Sequence, residues 1–555
     1  MSDLDETWGT DGILSFPINC DSVLKHLKQD MRDDWFIDTL AYKDLFSNKE
    51  YLKKVIADLL EEGNGQYPGN TRTIYDIPKK GLGIRYSLET DFFDRFIYQA
   101  ICSYLIEFFD PLLSHRVLGH RLNKKRRDER YLFKNRIDLW NTFEGVTHTA
   151  INSGQALLAT DLINYFENIS TDLIRSAFLS KIENINANGR EKLRIRNAIE
   201  TLCSLLVQWG YSEKHGLPQN RDASSFIANI VLSDVDHKIV ELGYDYYRYV
   251  DDIRIICENP QHARKAITDL IGQLRTVGMN INSAKTEILT KDSPPQRISD
   301  FFPASDDRSL AIDNMWRSRS RRVISRSIAP LCEMLHDIIQ NRETQSRQFR
   351  FAVNRLKILL DSGAFDIDKT LIKSLTSIII DSLESQAAST DQFCRLLSMF
   401  EISEPEFERI EEYLENPLKS IHPWQNYHLW LLLAKKQRIS ELLLEAALNK
   451  IEQTILAPEI PAIFVYLKCI NKDELLIPTI KIFKKEWPYQ HQRYFLLATK
   501  DFDRETLKPL IGELKTRLKG TASRAIRHLP ANGTLVISTE GRDILAIYDN
   551  ISPYD

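Results

Sequence analysis

Residues 246–257, YYRYVDDIRIIC, place two adjacent carboxylates between two apolar, strand-forming runs. Aromatic and β-branched residues favour strands on both sides of the pair. The segment therefore predicts a tight β-hairpin with Asp251 and Asp252 at its tip. Taken alone the tip has an ordinary explanation, a solvated turn, because average composition produces Y-x-D-D in about one such chain in twenty.

A second segment, LLATDLINYFENIS at 157–170, changes that interpretation. An apolar strand ends at Asp161, which can supply a third carboxylate from a different strand. Two-metal phosphoryl transfer needs carboxylates that hold two Mg²⁺ about 3.5–4 Å apart. We therefore predict Asp161, Asp251 and Asp252 as catalytic metal ligands for two Mg²⁺, with Mn²⁺ as a substitute. Phe166 is placed to stack under a sugar and to clash with a 2′-hydroxyl, although it can also be a core aromatic.

Two further candidates lie on either side of the hairpin. The stretch at 216–239 begins with a turn and continues as a helix rich in small residues, a surface that a nucleotide can approach closely. Gln219 lies in that turn and is predicted to bind the deoxynucleotide. Lys285 follows the hairpin after a turn and is predicted to protonate the departing pyrophosphate as a general acid. A solvated surface lysine is the alternative explanation of Lys285.

The segment IPKKGLGIR at 77–85 predicts a hairpin in an extended region. Lys79 and Arg85 lie six residues apart across it, a spacing that suits a clamp on a triphosphate, since ammonium and guanidinium groups both bind phosphate oxygens. We expect both side chains to be exposed. A charged hairpin tip without a ligand is the alternative.

The order and spacing of these segments resemble those of the reverse transcriptases over about residues 70 to 295. IPKKGLGIR is similar to their fingers motif, and four further segments are similar to motifs A to D: ATDLINYF, GLPQNRDASSFIANIVL, YVDD and GMNINSAKTEI. The resemblance implies an α+β right-hand polymerase fold with fingers and palm. Motif B departs from the usual Gln-Gly, because Gln219 is followed by Asn220, which puts ordinary template handling in doubt.

Four regions follow from this alignment of motifs. Residues 1–70 are predicted to be helical, 71–150 to form the fingers, 151–300 the palm, and 301–555 an all-α domain in place of a thumb. Helices of about 12 to 18 residues joined by short polar turns fit HEAT-like helical repeats, and a compact helical bundle is the alternative. The segment 533–555 has the pattern of a small hairpin.

A palm followed by a long helical region resembles the bacterial abortive-infection reverse transcriptases of the AbiK/AbiA type. That resemblance implies anti-phage defence, a homo-oligomer, and for some members template-independent DNA synthesis primed by a protein tyrosine. Tyr42 and Tyr51, in the N-terminal helical region, are the priming candidates, although each alone is more simply explained as an amphipathic-helix residue.

Three functional hypotheses remain open on the sequence. The first is a defence-type DNA polymerase that uses dNTPs and makes a DNA product. The second is a templated RNA-directed DNA polymerase of a retron or mobile element, which needs an RNA partner and a thumb. The third is a non-catalytic scaffold whose helical domain binds a phage protein, and the intact trio of aspartates argues against it.

Charge, cysteine content and hydropathy limit the binding surfaces, the metal sites and the cellular location that the sequence predicts. The net charge is −4, so any basic groove is local, and the basic stretches at 120–130 and 316–326 are candidates for it, with solvated helix faces as the alternative. The seven cysteines form no C-x-x-C pair, which predicts buried thiols and neither a zinc site nor a disulfide framework. No apolar run reaches about 18 residues, and the N-terminus has no signal layout. We expect a cytoplasmic bacterial protein without a membrane span.

Overall fold

The computed structural model describes residues 7–8, 16–124, 132–210, 215–302, 307–365 and 367–521. The hairpin expected at 533–555 lies outside the described residues, as does part of the basic stretch at 120–130. Among the helices in these described ranges, none combines the length and the apolar character needed to cross a membrane. All seven cysteines lie in the described ranges and are buried, as predicted, and no disulfide joins them.

The N-terminal region is mostly helical and leads into a two-stranded hairpin. Asn48 caps the third helix by accepting from the Tyr51 amide at 3.1 Å. The hairpin has antiparallel register from Thr73 opposite Glu89 to Pro78 opposite Ile84, and the predicted extended segment is therefore present. The elements are β1 (Thr7–Trp8), β2 (Ile18–Asn19), α1 (Cys20–Asp30), α2 (Lys43–Phe46), α3 (Lys49–Glu62), β3 (Thr73–Pro78), β4 (Ile84–Glu89) and α4 (Phe92–Phe109).

The palm is a four-stranded antiparallel sheet with helices packed on it. Its strand order is β6-β7-β5-β8, with these bounds: β5 (Ala156–Asp161), β6 (Asp245–Tyr249), β7 (Asp252–Cys257) and β8 (Glu287–Leu289). Every residue of β5 is buried, because β5 lies inside the sheet between β7 and β8. The surrounding helices are α5 (Arg136–Asn152), α6 (Tyr165–Asn168), α7 (Thr171–Leu179), α8 (Gly189–Trp209), α9 (Asp222–Glu241), α10 (Pro260–Arg275) and α11 (Pro295–Phe301).

Every regular element described between 307 and 521 is helical. The longer helices carry one apolar face that is buried against their neighbours, the usual source of helix stability in proteins. The bounds are α12 (Asp307–Arg317), α13 (Arg321–Ser325), α14 (Ile328–Gln340), α15 (Arg347–Asp361), α16 (Lys369–Ser382), α17 (Thr390–Leu397), α18 (Glu404–Glu415), α19 (Pro423–Lys436), α20 (Glu441–Gln453), α21 (Ile460–Cys469), α22 (Ile477–Ile480), α23 (Tyr489–Ala498) and α24 (Arg504–Ile511).

Helices of this region pack on the helix two places along the chain. Contacts of this kind join α14 to α16 to α18 to α20, and α15 to α17 to α19 to α21 to α23. The chain therefore alternates between two rows of stacked helices. A largely helical C-terminal region is what the sequence predicted, and the HEAT-like character of its repeats stays a prediction.

The helical region returns to the N-terminal region through a buried ion cluster. Arg493 of α23 donates to Asp38 at 2.7 and 3.1 Å and to Asp44 at 3.1 and 2.8 Å. The three side chains are at most 2% exposed. We call Asp38, Asp44 and Arg493 the closed cluster, since both carboxylates and every guanidinium nitrogen have a partner.

A second buried contact lies near the end of the described chain. Arg517 donates to the Tyr67 hydroxyl at 2.8 Å, to Asp94 at 2.9 Å and to the Pro68 carbonyl at 2.6 Å. His428 of α19 lies 3.0 Å from the Trp35 carbonyl through Nε2. These buried contacts join the helical region to the N-terminal region. Residues of both regions belong to one hydrophobic core.

Candidate active site

The predicted hairpin is present, with its two carboxylates at the tip. β6 and β7 pair with Tyr249 opposite Asp252, and Val250 turns the chain with φ 57°. Arg248 fixes the turn from below: it is fully buried, it donates to the Val250 carbonyl at 2.8 Å, and it forms an ion pair with Asp236 at 2.6 Å. This buried support holds Asp251 and Asp252 at the end of the sheet.

The third carboxylate is on the neighbouring strand, as predicted. Asp161 ends β5 and is the direct register partner of Asp252. Directly opposed residues of an antiparallel pair have Cα atoms about 4.5–5.5 Å apart. The Asp161 carbonyl accepts from the Asn282 amide at 2.6 Å, which ties the segment carrying Lys285 to the same strand end. Three aspartates therefore meet where two strands end.

The trio carries an excess of negative charge. Burial raises the pKa of Asp251 to about 7, and repulsion from Asp252 and Asp161 adds to the effect. Burial and then repulsion from Asp161 raise the pKa of Asp252 to about 6. Lys285 is the cation that contacts the trio, with Nζ 2.5 Å from Asp161 Oδ2, and its side chain is 66% exposed. One exposed ammonium offsets only part of this charge.

The donor set fits a divalent cation such as Mg²⁺. All three ligand candidates are carboxylates, the hard oxygen donors that Mg²⁺ prefers, and a divalent cation would offset the repulsion that raises two of their pKa values. Reverse transcriptases generally use divalent metal ions. Within the described residues, no group of three or more His, Cys, Asp or Glu side chains is already arranged as a metal site. The predicted ligands therefore adjoin one another without forming a closed chelate.

The loops of motifs A and B are joined beside the trio. Phe166 is half-buried with its ring 5.2 Å from that of Tyr165, and its carbonyl accepts from the Leu217 amide at 2.9 Å. Gln219 donates from Nε2 to Glu167 at 3.1 Å. Asn220 has φ 57°, the left-handed region that favours glycine and that asparagine tolerates best among other residues. The departure from Gln-Gly therefore keeps the backbone turn.

The fingers hairpin places Lys79 and Arg85 at its closed end. The Lys79 amide donates to the Gly83 carbonyl at 2.7 Å, which tightens the turn, and the Lys79 side chain is half-exposed. The Arg85 side chain is likewise half-exposed, so its exposure is lower than expected. Its Nε is buried without a hydrogen-bond partner, its guanidinium lies 5.7 Å from the Trp35 ring, and burial followed by the charge of Arg350 lowers its pKa.

The two priming candidates lie at the contact with the helical region. Tyr42 packs its ring 5.1 Å from Phe92 and 4.8 Å from the Arg493 guanidinium, and burial raises its pKa well above the ordinary value. Tyr51 donates its hydroxyl to the Lys519 carbonyl at 3.0 Å. The Tyr51 hydroxyl and the Tyr42 ring therefore contact the helical region, and the priming role of both residues stays a prediction.

Three residues near the site have no counterpart in the sequence analysis. Arg254 lies two positions after Asp252, donates to Thr147 at 2.7 Å, and has its pKa lowered to about 10 by burial. Trp140 packs 4.9 Å from the ring of Tyr249, and Arg347 of α15 stacks 4.3 Å over Trp140. Arg254 and Trp140 have no sequence signal. Arg347 begins an R-x-x-R pair, a pattern that is also common on solvent-exposed helices.

A carboxylate-bearing hairpin paired with a third carboxylate, beneath a basic fingers hairpin, defines the class of nucleotidyl-transferring polymerases. Residues 77–351 match the family described as Reverse transcriptase (RNA-dependent DNA polymerase). The chain therefore contains a reverse transcriptase domain and is a nucleotidyltransferase of the RNA-directed DNA polymerase type.

Similar solved structures include telomerases. Apo telomerase from Candida tropicalis is 14% identical with a TM-score of 0.30, and the match covers 63% of this chain and 73% of that one. Telomerase from Candida albicans in complex with a telomeric RNA fragment is 12% identical with a TM-score of 0.27, covering 72% of this chain and 67% of that one. Among curated proteins, none matches this chain.

Proposed function

We propose that the chain is a DNA polymerase that adds dNTPs by two-metal phosphoryl transfer at Asp161, Asp251 and Asp252. One observation carries this proposal: Asp161 and Asp252 are register partners on adjoining strands, with Asp251 at the adjacent turn. The three carboxylates would hold two Mg²⁺, with Mn²⁺ as a substitute. When bound, the ions supply activation of the attacking hydroxyl and stabilisation of the leaving pyrophosphate.

The other residues divide the remaining tasks. Lys285, whose pKa is raised by its bond to Asp161, carries a proton at neutral pH that it can give to the leaving pyrophosphate. Lys79 and Arg85 bind the triphosphate, and Gln219 lies on the loop that borders it. Phe166 faces the sugar and selects deoxynucleotides by clash with a 2′-hydroxyl.

The direct test is incorporation of labelled dNTP by the purified full-length chain with Mg²⁺. A primed RNA template, a primed DNA template and no nucleic acid are supplied in separate reactions. Incorporation that requires Mg²⁺ or Mn²⁺ and is lost in Asp251→Asn supports the proposal. Incorporation that survives in a folded Asp251→Asn variant refutes the site, and no incorporation under any condition favours the non-catalytic scaffold.

We infer further that the enzyme acts in anti-phage defence as an oligomer of the abortive-infection type, in the bacterial cytoplasm. The support is the resemblance of its motif set together with a long helical region, which we take to be HEAT-like, where a thumb would be. The test is plaque formation on cells that express the chain or its Asp251→Asn variant, with the mass of the purified protein measured by light scattering. Equal plaque counts for both across a broad phage panel would contradict the defence role.

Template-independent, protein-primed synthesis is the finer part of this proposal. Its support is the helical region in place of a thumb. The departure at Asn220 adds no support, because Asn220 keeps the backbone turn of motif B. After incubation with labelled dNTP, the expected result is label that stays on the protein under denaturing conditions until nuclease is added. Tyr42→Phe and Tyr51→Phe test the candidate residues. Label that separates without nuclease overturns protein priming and favours a templated enzyme of the retron type.

A further inference from the structure

The start of α15 is anchored to the palm. Arg347, the first residue of the helix, stacks 4.3 Å over Trp140 and forms an ion pair with Glu144 at 3.4 Å. Trp140 in turn contacts the ring of Tyr249, next to the catalytic hairpin tip. The helical region therefore reaches the palm beside the carboxylate trio, and the charge of Arg347 acts on Asp252.

The segment just before α15 reaches the fingers indirectly, through a turn of the helical region. Gln345 donates to the Ala388 carbonyl at 3.1 Å and to Ser389 at 2.7 Å, and Thr344 donates to Gln386 at 2.8 Å. The turn at Ala387–Ser389 packs on β3 of the fingers hairpin. The segment 344–347 thus contacts the palm directly and the fingers through this turn.

Arg350 lies three residues further along α15 and is exposed. Its charge acts on Arg85, whose own nearby charges include Asp251 and Glu167. Among the described residues, neither Arg85 nor Arg350 has an ion-pair partner, in contrast to Arg347. Arg347 and Arg350 are three positions apart on α15, so both lie on the face of the helix that Arg347 presents to the palm. Arg85 of the fingers has a buried Nε without a hydrogen-bond partner. An anion between two guanidinium groups is stabilised by both, and guanidinium groups bind phosphate oxygens in bidentate fashion.

We propose that Arg350 of the helical region binds the phosphates of the incoming nucleoside triphosphate together with Arg85 of the fingers. This inference rests on the proposed polymerase function and deepens it, because it assigns a nucleotide contact to the helical region. The phosphate oxygens of the triphosphate offset the positive charge of the two arginines. The divalent cation bound to the triphosphate offsets the negative charge of the trio. The helical region is then part of the nucleotide site.

The test is steady-state incorporation by the full chain carrying Arg350→Gln. The expected result is a rise in the KM for dNTP of about tenfold or more, the loss of one charge-assisted contact, with kcat changed much less. Inorganic tripolyphosphate, used as a competitive inhibitor, is expected to lose affinity by a similar factor. Arg350→Lys is expected to recover part of the loss. Lys373→Gln, an exposed cation of α16, is the matched control with unchanged KM.

Further readouts separate this proposal from its alternatives. In the double variant Arg85→Gln/Arg350→Gln, the KM is expected to rise by less than the product of the single effects, because both residues bind one triphosphate. An unchanged KM with weaker, more salt-sensitive binding of a labelled oligonucleotide assigns Arg350 to nucleic acid and overturns the proposal. An unchanged KM with lowered thermal stability also overturns it, as a structural role. If the unmutated chain incorporates nothing, the polymerase function itself fails.

Discussion

The molecule groups its charged side chains in two contrasting ways. In the closed cluster, Arg493 satisfies Asp38 and Asp44 with four hydrogen bonds in an enclosure at most 2% exposed. At the candidate active site, charges of like sign are grouped: the trio of carboxylates on the palm, and the arginines Arg85 and Arg350 of the proposed triphosphate contact. The first arrangement is complete within the chain, whereas the second has the composition that a ligand carrying both signs of charge would complete.

The difference shows why buried charge alone does not mark a functional site. A buried ion pair with every group satisfied fixes one structure, and removal of one partner is costly. The raised pKa values of Asp251 and Asp252 result instead from burial and from repulsion within the trio, so folding has placed these charges unfavourably. Neutralising the two arrangements should therefore change stability in opposite directions.

The largest effect is expected from Asp251→Asn and Asp252→Asn. Each variant should lose at least about a thousandfold in dNTP incorporation. The reason is that each aspartate is proposed to hold the metal ions, which supply most of the charge stabilisation in the transition state. Each should also unfold at the same or a higher temperature in the absence of divalent cations, since repulsion within the trio is relieved. The measurements are single-nucleotide incorporation and thermal unfolding. A marked fall in unfolding temperature would remove the contrast with the closed cluster.

Arg493→Met should produce the largest loss of stability. It removes the cation that faces the buried carboxylates of Asp38 and Asp44, at a cost of about 3–5 kcal/mol in the free energy of unfolding. Arg409→Gln, which breaks a half-exposed pair with Asp381, is the control and should cost less than about 1 kcal/mol. Chemical denaturation measures both.

The origin of that loss can be tested separately. The triple variant Asp38→Asn/Asp44→Asn/Arg493→Met carries no charge in the closed cluster. It should recover much of the loss, because the cost lies mainly in two buried carboxylates that have lost their cation. A triple variant less stable than Arg493→Met would show that packing of the arginine, and not charge pairing, stabilises this contact.

Acid should weaken the contact between the helical and N-terminal regions. Burial lowers the pKa of His428 from 6.5 to about 4. Between these values the unfolded chain binds a proton that the folded chain does not, so stability falls as the pH falls from 6.5 toward 4. The loss from this residue by about pH 4.5 is on the order of 2–3 kcal/mol. His428→Asn should flatten the pH dependence of unfolding, and an unchanged slope would exclude His428 as a source.

The smallest effect concerns the sugar. Phe166→Ala should raise the efficiency of ribonucleotide relative to deoxynucleotide incorporation by roughly tenfold or somewhat more, because a clash is relieved and no bond is lost. The ratio of kcat/KM for dGTP and GTP measures it. Equal use of both by the unmutated chain would show that the ring next to Tyr165 is only a core contact.

The carboxylate trio could be predicted from the sequence because each part of it is local. Asp251 and Asp252 follow from one apolar run with two charges, and Asp161 from the end of another. The partial burial of Arg85 could not be predicted, since it depends on Trp35, which is 50 positions away in the sequence. Arg350 itself looks like any exposed helix residue, and only the fold places the start of α15 beside the palm. The HEAT-like repeats remained a prediction because degenerate helix pairs share no sharp motif.

The closed cluster also has a consequence for how the chain is made. Asp44 and Arg493 are 449 positions apart. At a synthesis rate of about 5–20 residues per second, Arg493 is therefore added roughly 20 to 90 seconds after Asp44. Contacts of such high sequence separation slow folding, because the loop must close before they form. The palm is therefore synthesised completely before Arg493, the cation of the closed cluster, is added to the chain. In the cell, exposure to proteases and chaperones should be greatest in this interval, before the helical region has emerged.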